Sequence, residues 1–232
     1  MHPLDNPIWQ ALTTCHSRLA RTANHARRFP NDVTSLAGIP EPTVECYESL
    51  ASILDDVNAT GIFDGVPPQP PSGWTILAGA PLFQMIQHNG GASAPATPRR
   101  PIPEFKELTA ADAPEMLALA QLTKPGPFGL RTRELGTYLG IRQNGQLIAM
   151  AGERLRVPGF TEISAVCTHP DHLGRGYAAA LMSELERRIR ARAETPFLHV
   201  RADNTRAISL YEHLGYQKRV LLHFAVVRKP AE

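Results

Sequence analysis

The sequence predicts a protein of the α+β (mixed α/β) class, in which a twisted mixed sheet is flanked by helices. After residue 104, segments with the two-residue periodicity of strands alternate along the chain with segments of helical periodicity. The Asn144-Gly145 pair between two apolar runs is typical of a tight hairpin. Leu181, Leu185 and Ile189 have the spacing of one buried helix face. These observations favour a sheet with one long helix packed on it.

The predicted elements follow one another along the C-terminal half. Asp112, at the start of a helical pattern, is a candidate N-cap. The charges of the longest helix predict a face exposed to solvent; they are Glu184, Glu186, Arg187, Arg188, Arg190 and Arg192. We predict helices over residues 112–122, 131–138, 176–193 and 205–214. We predict strands over residues 105–108, 138–142, 146–157, 161–168, 197–201 and 220–227.

Two stretches rich in proline and glycine divide the chain, over residues 66–73 and 89–103. We predict a smaller α/β N-terminal lobe of unclear role over residues 1–100, which runs into a linker over 89–103. The second domain is predicted over residues 101–232. The alternative is that residues 89–103 form a long surface loop inside one domain. Within the lobe we predict a helix over 8–19, a strand over 74–78, and a strand or short helix over 81–88.

The composition limits the classes of function that the chain can have. The 232 residues are 43% hydrophobic and 20% charged, as in an ordinary globular protein, and a net charge of +2 argues against a nucleic-acid partner. Cys15, Cys46 and Cys167 form no CxxC pair, which favours a reducing compartment and no metal site. No secretory leader and no apolar run of about 18 residues are present, so we expect a cytoplasmic protein without a membrane partner. The oligomeric state cannot be read from the sequence.

A glycine-containing turn between a predicted strand and the long helix is the first candidate site. Backbone N–H groups at a helix start have no partner inside the helix, and the helix dipole adds positive charge there. Gly174 and Gly176 would let a ligand approach the backbone without a Cβ in the way. Arg175 is a candidate for a charged contact. The turn therefore predicts an anion site suited to a pyrophosphate.

Other nucleotide sites fit this turn less well. Residues 174–179 satisfy the dinucleotide pattern G-x-G-x-x-A by letter, but five residues, including Pro170, separate Thr168 from Gly174. A nicotinamide-dependent oxidoreductase would also need a second Rossmann half, which the sequence does not indicate. A Walker loop is absent. A plain strand-to-helix turn without a ligand remains the structural alternative.

A second segment, residues 201–216, carries the pattern N-x-x-A-x-x-x-Y-x-x-x-G-Y. It resembles an element of the GNAT superfamily of acetyltransferases. The glycine turn is similar to that superfamily's [R/Q]-x-x-G-x-[G/A] motif, with Gly176 and Ala178 in register and Leu173 in place of the usual Arg or Gln. The resemblance covers about residues 105–227 and implies a GNAT-type sheet. The N-terminal lobe would then be a candidate for a degenerate GNAT-like half. The matching residues of the second segment are Asn204, Ala207, Tyr211, Gly215 and Tyr216.

The resemblance implies an N-acetyltransferase that transfers the acetyl group of acetyl-coenzyme A directly to a primary amine, without a metal. The acceptor would be a small molecule or a peptide. The alternative is a non-catalytic module with the same fold that binds acetyl-coenzyme A or a protein partner. The implied coenzyme-binding residues are Val166, Cys167, Thr168, Leu173, Gly174, Arg175, Gly176, Tyr177, Ala178 and Asn204.

The same resemblance suggests two catalytic residues. Tyr211 would protonate the departing sulfur; the alternative is a tyrosine packed on the core. Glu162 is the candidate base for the amine, although a strand-edge glutamate facing water is the simpler interpretation. Glu153 and His169 are secondary candidates for the base. Asn204 fits a helix cap equally well, and Cys167 is predicted to be a buried apolar residue, not a nucleophile.

Overall fold

The computed structural model describes residues 2–54, 57–87 and 104–230. Its centre is an eight-stranded mixed sheet with the order β4-β11-β5-β10-β9-β8-β7-β6, and a small antiparallel sheet has the order β1-β2-β3. The strands are β1 (Arg21–Ala23), β2 (Ala26–Arg28), β3 (Ala37–Gly38), β4 (Ala59–Asp64), β5 (Thr75–Gln87), β6 (Phe105–Glu107), β7 (Tyr138–Gln143), β8 (Gln146–Val157), β9 (Phe160–Thr168), β10 (Thr195–Arg201) and β11 (Tyr216–Arg228).

Helices cover both faces of the large sheet. On one face α4 buries Leu181, Leu185 and Ile189 completely, as the spacing predicts. Each such side chain contributes roughly 1.5–3 kcal/mol on leaving water. On the other face Ile8 of α1 packs in one cluster with Leu155 of β8. The helices are α1 (Pro7–Thr13), α2 (Val44–Ser52), α3 (Ala113–Thr123), α4 (Tyr177–Ala191) and α5 (Thr205–His213).

The N-terminal residues contribute two strands to the large sheet. β5 lies between β10 and β11 and is antiparallel to both. β4 pairs antiparallel with β11 at the sheet edge. The sheet therefore includes strands from both sides of the predicted division at residue 100. The whole predicted linker over 89–103 lies outside the described residues, so the two-domain division stays a prediction.

The hairpin prediction is confirmed, since Asn144 and Gly145 join β7 to β8 with φ angles of 52° and 82°. Both residues thus adopt the left-handed conformation that a tight hairpin with a type I′ turn requires.

None of the helices in the described part of the chain has both the length and the apolar composition that crossing a membrane needs.

Two helix predictions are too long. The helix predicted over 8–19 ends at Thr13, because the side chains of Thr13 and Thr14 bond back to backbone carbonyls and a separate 3-10 turn follows over Ser17–Leu19. The helix predicted over 131–138 is a single 3-10 turn, Thr132–Leu135. In both cases the helical pattern covers too few residues to determine where the helix ends.

Two side chains also differ from their predicted roles. The Asp112 carboxylate does not cap α3; it accepts hydrogen bonds from the Thr109 backbone N–H at 2.8 Å and from Arg142 at 2.5 Å. Glu186 is buried, not solvated, because the end of β5 packs over it and Gln87 donates a hydrogen bond to its carboxylate at 3.0 Å. Sequence periodicity alone does not show which neighbouring strand covers a helix face.

Candidate functional site

A cleft of about 800 Å³ opens where β9 and β10 separate. The two parallel strands pair at only three positions, from Phe160 opposite Thr195 to Glu162 opposite Phe197. Beyond Glu162, residues 163–168 of β9 line the cleft instead of pairing with β10. One edge of the β9 main chain therefore faces the cleft, where a ligand can bond to it as an added strand does.

The glycine turn at the start of α4 forms one wall of this cleft. Gly174 and Gly176 have φ angles of 74° and 82°, in the left-handed region that favours glycine. Among the described residues no side chain caps α4, so its first backbone N–H groups remain available to an anion. A Cβ built on Gly174 would meet no atom within 4 Å, so the turn has open space before it. The geometry fits a diphosphate.

The β9 segment beside the turn has a backbone irregularity that the sequence does not signal. Ala165 has a φ of 51°, which is unusual for a residue other than glycine, and the β8–β9 register shifts on this strand. Such bulges redirect side chains and are frequent next to functional sites. Cys167 is buried, as predicted, and burial raises the pKa of its thiol to about 11. A thiol with that pKa is protonated at neutral pH and is a poor nucleophile.

Tyr211 on α5 faces the same cleft. Asn204 begins this helix, and its side-chain oxygen accepts a hydrogen bond from the Ala207 backbone N–H at 3.1 Å, so the cap interpretation is confirmed. The Tyr211 ring lies edge-on to Tyr216, with the ring centroids 6.1 Å apart. Burial raises the pKa of Tyr211 to about 12, so the phenol keeps its proton at neutral pH. Within the described residues its hydroxyl has no hydrogen-bond partner.

The cleft brings together every residue for which the sequence predicts a coenzyme contact, and Tyr211 as well. We call this surface the glycine-turn wall; it consists of residues 164–168 and 172–179 with Asn204, Ala207 and Tyr211. Lining a cleft is not binding, so the individual contacts stay predictions. Leu173 is 48% exposed here. It is large and apolar where the resemblance implies a polar side chain.

Glu162 lies in the core of the sheet, so the interpretation of an exposed strand-edge glutamate is wrong. Its carboxylate is fully buried and accepts two hydrogen bonds from Arg154, at 2.6 and 2.9 Å. It also bonds His199 Nδ1 at 2.7 Å and the Leu155 backbone N–H at 3.3 Å. Burial alone would raise its pKa, but the charge of Arg154 and the contact with His199 outweigh burial and lower the pKa to about 2.

The hydrogen bonds around His199 fix its tautomer. Gln84 donates from its side-chain nitrogen to the Leu4 carbonyl at 2.9 Å, and its oxygen accepts from Arg219 at 2.9 Å. The Gln84 nitrogen, 3.1 Å from His199 Nε2, is therefore a donor, and Nε2 is the acceptor. The remaining nitrogen, Nδ1, carries the proton and donates it to Glu162. A buried chain of polar groups thus connects the cleft to the N-terminal residues.

The secondary candidates for the base lie elsewhere. Glu153 pairs with Arg192 at 3.0 Å and does not line the cleft. His169 accepts a hydrogen bond from the Asp171 backbone N–H at 3.3 Å and also lies outside the lining. Neither position supports contact with a substrate in this cleft. Among the residues described, no group of three or more metal-ligating side chains is present.

The cleft has a second, apolar surface that the sequence did not reveal. It comes from β4, β5, β11 and the loop before β3, and we call it the aromatic wall; its residues are Leu36, Phe63, Ala80, Leu82 and Phe224. Arg154 and His199 also line the cleft. In the sequence these apolar residues look like ordinary strand interiors. Only the sheet order brings them together, so no local motif could have identified them.

Comparison with known protein families and sequences gives consistent matches. Residues 138–225 match a family model described as FR47-like protein. The chain is 38% identical over 122 residues to the N-alpha-acetyltransferase RimI of Mycobacterium tuberculosis, which covers 48% of this chain and 76% of RimI. It is 50% identical over 50 residues to an acetyltransferase of Sodalis glossinidius, covering 21% of this chain and only 35% of that protein. The family-model match includes the glycine turn and Tyr211.

Solved structures match over the full length. A protein described as an acetyltransferase from the GNAT family of Novosphingobium aromaticivorans is 35% identical, with a TM-score of 0.86 and coverage of 100% of both chains. A GCN5-related N-acetyltransferase from Kribbella flavida has a TM-score of 0.62 at 17% identity and covers 99% of this chain and 97% of its own. The second match shows a shared fold, N-terminal residues included.

Proposed function

Since this chain belongs to the GNAT family of acetyltransferases, we propose that it transfers the acetyl group of acetyl-coenzyme A directly to a primary amine. One observation carries the proposal: the open glycine turn at the start of α4 and the Tyr211 phenol lie on the wall of a single cleft. The turn suits the diphosphate of the coenzyme, and the phenol suits its sulfur end. The name of the M. tuberculosis relative, an N-alpha-acetyltransferase, supports an amine acceptor.

The parts of the glycine-turn wall have distinct tasks in this proposal. The backbone N–H groups at the turn and the first residues of α4 bind the diphosphate. The open edge of β9 hydrogen-bonds the pantetheine arm, and a backbone N–H at this strand polarises the thioester carbonyl. Acetyl-coenzyme A supplies an activated acetyl group: the neutral amine attacks its carbonyl carbon, the new C–N bond forms as the C–S bond breaks, and the nitrogen releases its extra proton to water. Tyr211 donates its proton to the departing sulfur, a task suited to a phenol that is protonated at neutral pH.

The contacts of Glu162 support a positioning role in place of the base role predicted from the sequence. Both of its oxygens are engaged, and a carboxylate with a pKa of about 2 is a weak base. Its charge holds Arg154 at the cleft and fixes the proton on His199. We expect the rate to follow the ionisation of the amine itself, which must arrive neutral, so the rate should rise with pH towards the amine pKa.

The proposal is tested by titration calorimetry with acetyl-coenzyme A, followed by thiol release with a panel of primary amines. We expect binding, and faster thiol release with at least one amine than without. S-acetyl-N-acetylcysteamine, which carries the thioester but no diphosphate, is the matched ligand control and should bind far more weakly. Binding of acetyl-coenzyme A without turnover on any amine would support the alternative of a non-catalytic module. Absence of binding would remove both functions.

A further inference from the structure

The aromatic wall is built in register across three neighbouring strands. Phe63 of β4 lies opposite Phe224 of β11, and Phe224 lies opposite Ala80 of β5. The Phe63 and Phe224 rings meet edge to face, with centroids 5.8 Å apart. Side chains at paired positions point to the same face of a sheet, so the two rings form one continuous apolar surface. That surface faces the cleft.

A glycine leaves the space that this surface needs. Leu36 bridges to Gly61 of β4, and the Gly61 N–H donates to the Ser35 carbonyl at 2.8 Å. A Cβ on Gly61 would lie 2.6 Å from the Phe224 ring and 3.0 Å from the Leu36 side chain. The absent side chain therefore lets both residues close over β4 and extend the aromatic wall.

The N-terminal residues also anchor the loop that borders the cleft on another side. Residues 123–127 line the cleft, and the chain just beyond them is fixed to Asp32 and Val33. The Arg131 N–H donates to the Asp32 carbonyl at 2.8 Å, and the Thr132 hydroxyl donates to the Val33 carbonyl. The N-terminal residues thus shape the cleft both directly and through this loop.

The Arg154 guanidinium places a hydrogen-bond donor beside this apolar region. Arg154 uses Nε and Nη2 to bond Glu162, and no described residue accepts a hydrogen bond from its Nη1. A Cβ on Gly126, another residue of the cleft, would lie 3.9 Å from Nη1. A ligand that displaces water from this N–H group without replacing its hydrogen bond pays a desolvation penalty. The ligand should therefore carry an oxygen acceptor.

The charge balance favours a neutral oxygen. The buried Glu162 carboxylate already cancels the Arg154 charge through two hydrogen bonds. A carboxylate brought beside this pair would introduce an additional buried negative charge, whereas a carbonyl oxygen would accept the hydrogen bond without one. Neutral carbonyls and apolar groups are thus the chemistry that this part of the cleft suits.

We propose that the aromatic wall and Arg154 Nη1 form the acceptor site, and that the acceptor is a primary amine on an apolar body that also carries a neutral carbonyl oxygen. This inference rests on the proposed function, because it assigns the second substrate of that reaction. The apolar body packs on Phe63 and Phe224. The carbonyl accepts a hydrogen bond from Arg154, a specificity-determining residue, and the amine faces the acetyl group.

The experiment compares kcat/KM for phenylalanine amide, glycine amide, phenylalanine, 2-phenylethylamine and spermidine, with thiol release as the readout. We expect phenylalanine amide to exceed each of the others by about tenfold or more, the size of one hydrogen bond or one apolar contact. Equal rates for glycine amide would overturn the apolar contact, and a preference for phenylalanine or spermidine would overturn the neutral carbonyl.

Two variants assign the selectivity to its residues. Phe63→Ala should lower the preference for phenylalanine amide over glycine amide about tenfold. Phe160→Ala, a matched change in the same hydrophobic cluster but outside the cleft, should leave that preference unchanged. Arg154→Lys keeps the charge beside Glu162 but removes the Nη1 donor, so the advantage of phenylalanine amide over 2-phenylethylamine should fall towards one. Unchanged preferences in Phe63→Ala and Arg154→Lys would overturn the assignment.

Calorimetry with acetyl-coenzyme A accompanies every variant and separates the two proposals. Intact coenzyme binding with transfer to the panel in an inverted order of preference overturns the acceptor assignment alone, because transfer itself is then retained. No coenzyme binding by the unmodified chain overturns the proposed function, and the acceptor assignment with it. Should Arg154→Lys fail to fold, the Phe63→Ala and Phe160→Ala pair still decides the apolar contact.

Discussion

The two walls of the cleft are assembled in different ways. The glycine-turn wall comes from one continuous stretch, between residues 164 and 211, in which β9, the glycine turn, α4, β10 and α5 follow one another. The aromatic wall comes from segments as distant as Leu36, Leu82 and Phe224, which only the sheet order brings together. A local wall leaves a spacing pattern in the sequence, whereas a wall built from distant segments leaves none. This difference also divides the proposed tasks, since coenzyme contacts belong to the first wall and acceptor contacts to the second.

The sharpest test of the first wall is Tyr211→Phe. If the phenol protonates the departing sulfur, kcat should fall about a thousandfold while the affinity for acetyl-coenzyme A changes little. Because burial raises the Tyr211 pKa to about 12, ionisation of this phenol should cause no loss of wild-type activity below about pH 11. The checks are steady-state kinetics from pH 6 to 10 and calorimetry.

Tyr47→Phe is the matched control for that variant. Tyr47 is buried in a separate core cluster, and burial raises its pKa to about 12 as well, yet it lies outside the cleft. Its replacement should leave kcat unchanged. Full activity of Tyr211→Phe would show that Tyr211 is not the general acid and would leave it a packing role only.

Glu162→Gln tests the buried ion pair between Glu162 and Arg154, which also includes the hydrogen bond to His199. Removing the carboxylate leaves the Arg154 charge buried without its partner, which should lower the free energy of unfolding by about 3 kcal/mol. The Glu162 pKa is lowered from 4.5 to about 2 in the folded chain, so its contribution is complete above pH 4.5 and is lost as the pH falls towards 2. Denaturant unfolding between pH 2.5 and 7 measures both effects.

Glu184→Gln provides the comparison, since it removes the same charge from a partly exposed carboxylate bonded to Arg187 and Arg188. Screening by solvent should keep its cost below about 1 kcal/mol, although its pKa is also lowered to about 2. Equal destabilisation in the two variants would mean that burial does not distinguish Glu162, and would contradict its positioning role.

Sequence reasoning succeeded where neighbours in sequence are neighbours in space. The β7–β8 hairpin, the buried face of α4 and the cap at Asn204 all follow from short-range spacing, and the structure confirms them. The glycine turn was found for the same reason. Its predicted ligand contacts stay predictions.

The rest depends on long-range pairing. The insertion of β5 between β10 and β11 has no local signal, because its residues alternate no differently from those of an edge strand. The burial of Glu162 depends on Arg154 of β8 and His199 of β10, so the sequence alone predicts the usual solvent-facing position of a strand glutamate. Ala165 has a left-handed φ without being glycine, and the surrounding register shift, not the residue type, produces it.

Gly176→Ala probes the backbone of the glycine-turn wall. A Cβ at a φ of 82° costs about 1–2 kcal/mol of strain and displaces the N–H groups that face the diphosphate. We expect acetyl-coenzyme A to bind about thirtyfold more weakly, equivalent to about 2 kcal/mol. Calorimetry gives the affinity, and thermal unfolding gives the strain.

Gly145→Ala isolates the strain from the ligand effect, because Gly145 has the same φ of 82° but lies in the β7–β8 hairpin outside the cleft. It should lose comparable stability and keep its coenzyme affinity. Equal affinities in the two variants would show that the turn does not hold the diphosphate, and the contrast between the two walls would lose its chemical basis.

The smallest effect comes from Leu173→Arg, which places a cation where this chain has an exposed apolar side chain. An exposed ion pair contributes up to about 1 kcal/mol, so acetyl-coenzyme A should bind about threefold more tightly at low salt. The gain should shrink as salt screens the pair. Leu221→Arg adds the same charge to an exposed position outside the cleft and should not change the affinity. If both variants bind equally well, the gain comes from net charge, and Leu173 does not lie beside the diphosphate.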